Sequence, residues 1–250
     1  MTRRRFYAPP DAFSVDRKSA TLSAEETRHL RNVLRLKPGA EVYVFDGAGH
    51  EFRCRVKAVA RDATDVMVIE QVDAAQPESS LNLTLAVALL KGEKFDLVIQ
   101  KATELGVTRI VPVIASRADV KLSGEKDSER KAVRWQRIAL EATKQCGRAA
   151  LMTIERPAMF EKLIESSNKN SLMFAEREGN SLATALDEIR MSDANVTALV
   201  GPEGGWNEDE IDRARNAGWQ IVTLGGRILR AETAAIVIAT LLQHRLGDLK

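Results

Sequence analysis

From Leu81 onward the chain alternates between short, predominantly apolar runs and stretches with helical spacing. The runs are Leu81–Leu90, Arg109–Ala115, Leu172–Ala175, Val196–Val200 and Gln220–Leu224. A strand that is apolar on successive residues has no face to give to water. It must be covered on both sides, as strands are when helices flank a parallel sheet. Between the runs, Phe95–Leu105 is amphipathic and closes on Gly106, and Glu129–Cys146 predicts a long helix. The fold class that follows is α/β with a parallel sheet. The last helical stretch, Thr233–Arg245, is apolar on nearly every side and is expected to be wholly buried.

Residues 1–72 follow a different rule. Thr21–Arg35 has a short helical pattern that puts Leu30, Val33 and Leu34 on one face. Lys37-Pro38-Gly39 is a turn. Glu41–Phe45 and Phe52–Val56 read as strands around the turn Asp46–Gly49, and Val66–Ile69 reads as a third. A small β-rich domain over residues 1–72, a linker over 73–80 and an α/β domain over 81–250 account for the 250 residues.

Several functional classes drop out. Cys54 and Cys146 are far apart and neither sits in a CxxC, so neither a disulfide framework nor a zinc site is expected. His29, His50 and His244 lack metal-ligand spacing. The start, MTRRRFYAPPDAF, has no apolar core and does not read as a signal peptide, and no apolar run suffices to cross a bilayer. A cytoplasmic protein without membrane attachment is the expectation. The net charge of +2 demands no nucleic-acid partner, yet the first 37 residues carry nine Lys/Arg against four Asp/Glu. Any case for RNA rests on such local patches.

Two glycine turns carry the chemistry. Leu199–Ile211, LVGPEGGWNEDEI, runs from a strand into a glycine turn and then a helix, with Asn207 and Glu210 spaced as a capping box. Alone, such a Gly-Gly turn is more often only a tight, well-capped turn. Leu224–Thr233, LGGRILRAET, repeats the pattern. Two such loops from successive strands are expected side by side at the carboxyl edge of the sheet, where α/β folds bind ligands. Ile228 and Leu229 beside free backbone groups suit a flat heteroaromatic ring. The chain has no G-x-x-x-x-G-K-[ST], no G-x-G-x-x-G after a strand and no G-x-S-x-G, which leaves a phosphate cradle, an ordinary dinucleotide site and a hydrolase elbow unsupported.

GPEGGW (201–206) together with LGGRILRAETA (224–234) resembles the cofactor loops of the SPOUT class of RNA methyltransferases. Within that class the chain resembles the RsmE family, which methylates N3 of a uridine in 16S ribosomal RNA. Arg5-Phe6-Tyr7, HLRNVLRLKPG (29–39), KGEKFDLVIQKATELGV (91–107) and the helix end from Glu141-Ala142 to Gln145-Cys146-Gly147-Arg148 carry the match over nearly the whole chain.

The resemblance implies a C-terminal α/β domain with a deep trefoil knot and an N-terminal PUA-like β-barrel. It also implies S-adenosyl-L-methionine as cofactor, no metal, a homodimer through the C-terminal domain, and 16S rRNA within the small ribosomal subunit as substrate. On matching positions the cofactor floor is Val200, Gly201, Pro202, Glu203, Gly204 and Gly205. The adenine clamp is Leu224, Gly225, Ile228 and Leu229, and Phe174-Ala175 gives a third wall. Arg230 is the candidate for stabilising charge on a uracil oxygen, against a competing role as a helix cap or salt bridge. Glu203 or Glu232 is the candidate proton acceptor, although Glu203 serves equally as a turn residue. RNA contacts are assigned to Arg3, Arg4, Arg5, Arg17, Lys18, Arg28, Arg31 and Arg35. A second cluster, Lys121, Lys126, Arg130, Lys131, Arg134 and Arg137, is diluted by acids. The rival readings are a SPOUT enzyme with another rRNA or tRNA target, and an RNA-binding assembly factor without turnover.

Overall fold

The computed structural model describes residues 3–118, 120, 124–166, 168–189 and 195–250. The chain divides into two compact units. One is Met1–Glu78 with Thr143–Leu151, and the other is Ser79–Ala142 with Met152–Lys250.

The first unit is built on β1 (Arg5–Tyr7), β2 (Ser19–Leu22), α1 (Ala24–Arg28), β3 (Glu41–Phe45), β4 (Glu51–Val59) and β5 (Thr64–Val72). The sheet order is β1-β3-β4-β5-β2, antiparallel except for the β1–β3 pair. Alternation places Val42, Val44, Phe52, Cys54, Val56 and Val66 on one face, where they pack with Phe6, Leu22 and Leu30. β1 and β2 are strands that the sequence pattern did not signal. The helical pattern expected over 21–35 is also corrected. Thr21 and Leu22 pair with β5, and after α1 the chain widens into a π-turn, His29–Val33, in which the Leu34 N–H bonds the His29 carbonyl at 3.1 Å. The wider turn breaks the 3.6-residue phase. Leu30 is buried, whereas Val33 is 65% and Leu34 36% exposed.

Thr143–Leu151 belongs to this first unit, although the sequence division ran unbroken from Leu81. The Gly49 N–H bonds the Ala149 carbonyl at 3.2 Å, the Leu151 N–H the Gly47 carbonyl at 2.9 Å, and the Gln76 N–H the Gly147 carbonyl at 3.0 Å. These are long-range backbone bonds that no hydrophobic period announces.

The second unit holds β6 (Asn82–Ala88), α2 (Lys94–Glu104), β7 (Arg109–Ile114), most of α3 (Glu125–Cys146), β8 (Thr153–Ile154), β9 (Ala158–Met159) and α4 (Phe160–Glu165). It continues through β10 (Ser171–Phe174), β11 (Asn180–Ser181), α5 (Leu182–Asp187), β12 (Asn195–Val200), α6 (Glu208–Asn216), β13 (Gln220–Thr223) and α7 (Ala231–Leu246). The sheet is parallel throughout, in the order β11-β13-β10-β12-β6-β7-β8, with β9 also on β7. Leu83, Leu85, Val87, Leu172, Val196 and Ala198 pack with Phe95 and Ile99 of α2 and Ile238 and Leu242 of α7. Ala86, Val111, Val113, Met173, Leu199 and Ile221 pack instead with Phe160 and Leu163 of α4 and with Ala214 and Trp219. Both faces are covered, which is why the strands read as continuous apolar runs.

Two relationships differ from the sequence reading. β12 and β13 are not neighbours, because β10 lies between them, with Phe174 opposite both Val200 and Val222. Their loops therefore flank the end of a third strand. α7 is not buried all round: Ala235, Ile238, Ala239 and Leu242 are buried, while Ile236, Val237 and Leu241 are only partly covered. α7 follows β13 yet packs on α2, β6 and β12, so the chain crosses back past β10. That crossover accords with the knotted SPOUT topology.

Candidate active site

The carboxyl ends of β13, β10 and β12 open onto a cavity of about 590 Å³, within the size range of small-molecule sites. Its walls come from the three strand ends, the two glycine loops and the first turns of α7.

The first loop is fixed by an aromatic staple. The Trp206 indole N–H donates to the Phe174 carbonyl at 2.9 Å, and its ring lies 5.3 Å from that of Phe160. Gly201 passes beneath the indole so closely that a Cβ there would sit 2.8 Å from Nε1. The Gly205 N–H closes a turn on the Pro202 carbonyl at 3.0 Å, and Gly205 takes a φ of +65°. The capping box exists as expected: Asn207 accepts from the Glu210 N–H at 2.7 Å, and Glu210 accepts from the Asn207 N–H at 3.1 Å. Glu210 is buried and also receives the Ser116 N–H and hydroxyl at 3.1 and 3.0 Å.

The second loop turns through Gly225 and Gly226, at φ +68° and +70°. Thr223 ties it to β10. Its hydroxyl accepts the Gly225 N–H at 3.2 Å and donates to the Glu176 carbonyl at 3.5 Å. Arg230 is the residue before α7. It makes no side-chain cap bond, and its carbonyl accepts the Ala234 N–H at 2.8 Å.

The cavity wall brings together Phe174, Ala175, Val200, Gly201, Pro202, Glu203, Gly205, Leu224, Gly225, Ile228, Leu229 and Arg230. Gly204 is not in it. Arg117 covers Gly204 instead: a Cβ on Gly204 would lie 3.3 Å from the Arg117 Cβ, and the guanidinium donates to the Gly204 and Trp206 carbonyls at 3.4 and 3.3 Å. Ile228 is 70% exposed and stands at the mouth rather than in a hidden wall. Glu232 does not line the cavity. Its Oε2 is buried without a hydrogen-bond partner among the described residues.

Lys94, Glu176, Thr223 and Arg227 also line the cavity, and sequence reasoning did not assign them. Lys94, at the start of α2, forms an ion pair with Glu203. Its motif was visible, but nothing in local spacing says that α2 meets the loop after β12. Among the described residues no cluster of His, Cys, Asp and Glu suits a metal ion. In the first unit, burial pushes the Cys54 thiol up to about 12 and also raises that of Cys146, so neither is poised as a thiolate.

The arginines of the first unit divide by exposure. Arg5 does not belong to a free basic surface. Its side chain is 6% exposed and pairs with the fully buried Glu51 through Nε and Nη2 at 3.2 and 3.1 Å. It also donates to the Thr143, Lys144 and Arg148 carbonyls at 3.2, 3.2 and 2.6 Å and lies over the Phe45 ring. Arg3 pairs with Glu51 at 3.3 Å and Arg17 with Asp46 at 3.7 Å, both partly exposed. Arg4, Arg28, Arg31 and Arg35 are exposed, as is Lys18. In the second cluster, Lys121 lies outside the described residues, Lys131 pairs with Asp127 at 3.0 Å and Arg134 pairs with Asp96.

A parallel α/β unit with a mixed apolar and backbone-lined cavity at its strand ends, joined to a small β unit with exposed arginines, is the build of an RNA-modifying enzyme. The RNA methyltransferase domain family matches residues 77–243, and the RNA methyltransferase PUA domain family matches 22–66. The ribosomal RNA small subunit methyltransferase E of Synechocystis is 34% identical over 88% of this chain and 71% of its own length. That of Bacillus subtilis is 29% identical over 90% of each. The crystal structure of the Neisseria gonorrhoeae methyltransferase E, bound to S-adenosyl methionine, superposes over 100% of both chains with a TM-score of 0.87 at 32% identity. A Legionella pneumophila methyltransferase in complex with the same cofactor gives 0.88 at 29%, again over 100% of both chains. The chain belongs to the RNA methyltransferases, and among them to the ribosomal RNA small subunit methyltransferase E family.

Proposed function

We propose that this protein transfers a methyl group from S-adenosylmethionine to N3 of a uridine in 16S rRNA, as a cytoplasmic homodimer. The observation that carries the reading is the cavity at the ends of β13, β10 and β12. Its wall combines apolar side chains, Leu224 and Leu229 among them, for an adenine with the backbone of both glycine loops and the charged Lys94, Glu203 and Arg230. Those residues fit the cofactor, which supplies an electrophilic methyl group on a sulfonium.

The chain's own contribution is to bind, orient and handle one proton. Uridine N3 is mostly protonated at neutral pH and attacks only once that proton leaves. The Arg230 guanidinium lines the cavity and has no ion-pair partner among the described residues. Its planar donors are available to a uracil oxygen that gains charge as N3 is deprotonated. Glu203 is held at the mouth by Lys94 and is the proton acceptor in this reading. Holding base and methyl donor in line contributes on the order of 7–11 kcal/mol in favourable cases.

The partly covered Ile236, Val237 and Leu241 give α7 an apolar strip that a second copy would bury, and no described helix is long and apolar enough to cross a membrane. The exposed arginines of the first unit supply phosphate contacts. Mass-spectrometric mapping of 16S rRNA from cells with and without the gene tests the reading. The expected result is loss of one N3-methyluridine. Loss of a different modification, or none, overturns it.

A further inference from the structure

We propose that Glu176 reads the ribose of the cofactor, its carboxylate accepting hydrogen bonds from the vicinal hydroxyls. The proposal rests on the cofactor reading above and adds a residue to it. Glu176 follows β10, the strand between the two loop-bearing strands, and lines the cavity. Its carboxylate has no hydrogen-bond or ion-pair partner among the described residues, unlike Glu203, which is taken by Lys94. An exposed, acceptor-only group with four lone-pair sites thus lines the cavity with no protein partner among the described residues.

Its surroundings are built around it. Gly205, at a φ of +65°, lies against this carboxylate: a Cβ there would be in ordinary contact with it, 3.6 Å from Oε1. The Thr223 hydroxyl fixes the Glu176 carbonyl and at the same time holds the Gly225 N–H. Glu176 is therefore tied directly to the loop assigned to the adenine. The ribose is the part of the cofactor bonded to adenine, and a carboxylate at a strand end next to the base site is a common partner for its hydroxyls. The amino-acid end lies on the far side of the methyl-bearing sulfur from the ribose.

Calorimetry on the full-length protein with two ligands separates the possibilities. S-adenosylhomocysteine carries adenine, ribose and the amino acid, whereas methylthioadenosine carries adenine, ribose and a methylthio group but no amino acid. Glu176→Gln keeps the shape and removes the charge. It is expected to weaken both ligands by the same factor, about tenfold or more, as for loss of a charge-assisted hydrogen bond, with an unchanged melting temperature. The 3′-deoxy form of methylthioadenosine is expected to bind wild type about as weakly as the variant binds the parent, and to lose little more in the variant. A loss confined to S-adenosylhomocysteine would assign Glu176 to the amino-acid end and overturn the proposal, as would no loss with either ligand. If the unaltered protein binds neither ligand, the cofactor reading itself fails, which is a separate outcome.

Discussion

Trp206 donates its indole N–H to the carbonyl of Phe174 at 2.9 Å, and so joins the loop after β12 to the end of β10. Gly201 lies under that indole with no room for a Cβ, whereas Gly204 three residues on sits outside the cavity lining beneath Arg117. The two glycines should therefore behave differently. Gly201→Ala must displace Trp206 and open the wall. It is expected to lower cofactor affinity at least tenfold. Gly204→Ala meets the Cβ and backbone carbonyl of Arg117 at 3.3 and 3.4 Å, which need give only a few tenths of an ångström away from the cavity, and is expected to stay within about threefold of wild type, since surface changes usually cost under ~0.5 kcal/mol. Calorimetric titration with S-adenosylhomocysteine measures both, and equal losses would refute the distinction.

Arg5 looks like one member of a basic N-terminal run, but its environment makes it structural. Removing it leaves the carboxylate of Glu51, which has no exposure, with only Arg3 and the Ala75 N–H, and takes a donor from three carbonyls. Breaking a buried pair from one side costs about 3–5 kcal/mol. Arg5→Ala should thus lower the urea midpoint of the first unit sharply, and a stability close to wild type would show that the pair is dispensable.

The contrast between Arg5 and its neighbours shows what was legible in the sequence. Continuous apolar runs gave the parallel strands, because covering both faces of a sheet leaves a local signature. Glycine loops at strand ends gave most of the cavity wall for the same reason. Arg5 was illegible because its partners, Glu51 and the carbonyls of Thr143, Lys144 and Arg148, are distant in sequence. Lys94 was missed likewise, since its pairing with Glu203 depends on where α2 lies against the loop after β12. Gly204 was grouped with the cavity floor, from whose lining it is absent, because a run of glycines does not say which backbone faces the cavity. Val33 and Leu34 read as sharing one face with Leu30 because a π-turn is invisible to a 3.6-residue period.

Arg4 and Arg28 are exposed and have no ion-pair partner among the described residues, so their charge is available to phosphate. Substituting each by alanine should leave the melting temperature unchanged and weaken rRNA binding. The slope of log K against log salt should shrink by about 0.7–0.9 per lost contact. Filter binding over a salt series reads this directly, and an unaltered slope removes the residue from the interface.

Cys54 gives the first unit a pH dependence. Burial raises its thiol from 9.0 to about 12, so the folded form keeps the proton that the unfolded chain releases near pH 9. The unfolded state then binds fewer protons, and stability falls as pH rises. The contribution is whole below pH 9 and is lost between 9 and about 12. Urea melts should show a steeper alkaline decline for wild type than for Cys54→Ala, and matching declines would place the thiol in contact with solvent.

Arg230 separates catalysis from architecture. A cap or a salt bridge would make it structural, yet its side chain makes no cap bond to α7 and has no ion-pair partner among the described residues. The backbone is nevertheless fixed, because the Arg230 carbonyl receives the Ala234 N–H and Ala231 begins a buried helix face. What substitution removes is thus a charged, planar donor at the cavity and little else. In the proposed reaction, charge grows on the uracil oxygens as N3 loses its proton, while the cofactor ends neutral at sulfur. A donor serving the uracil should act on the chemical step and not on cofactor affinity. Arg230→Ala is expected to keep the melting temperature and S-adenosylhomocysteine affinity, and to cut single-turnover methyl transfer by about a hundredfold or more, the size seen for loss of one electrostatic stabiliser. Arg230→Lys should recover only part of the rate, because an ammonium cannot offer a planar fork to a carbonyl. A rapid-quench time course with saturating cofactor decides the matter: normal turnover in the alanine variant, or loss of cofactor affinity in its place, makes Arg230 a structural residue.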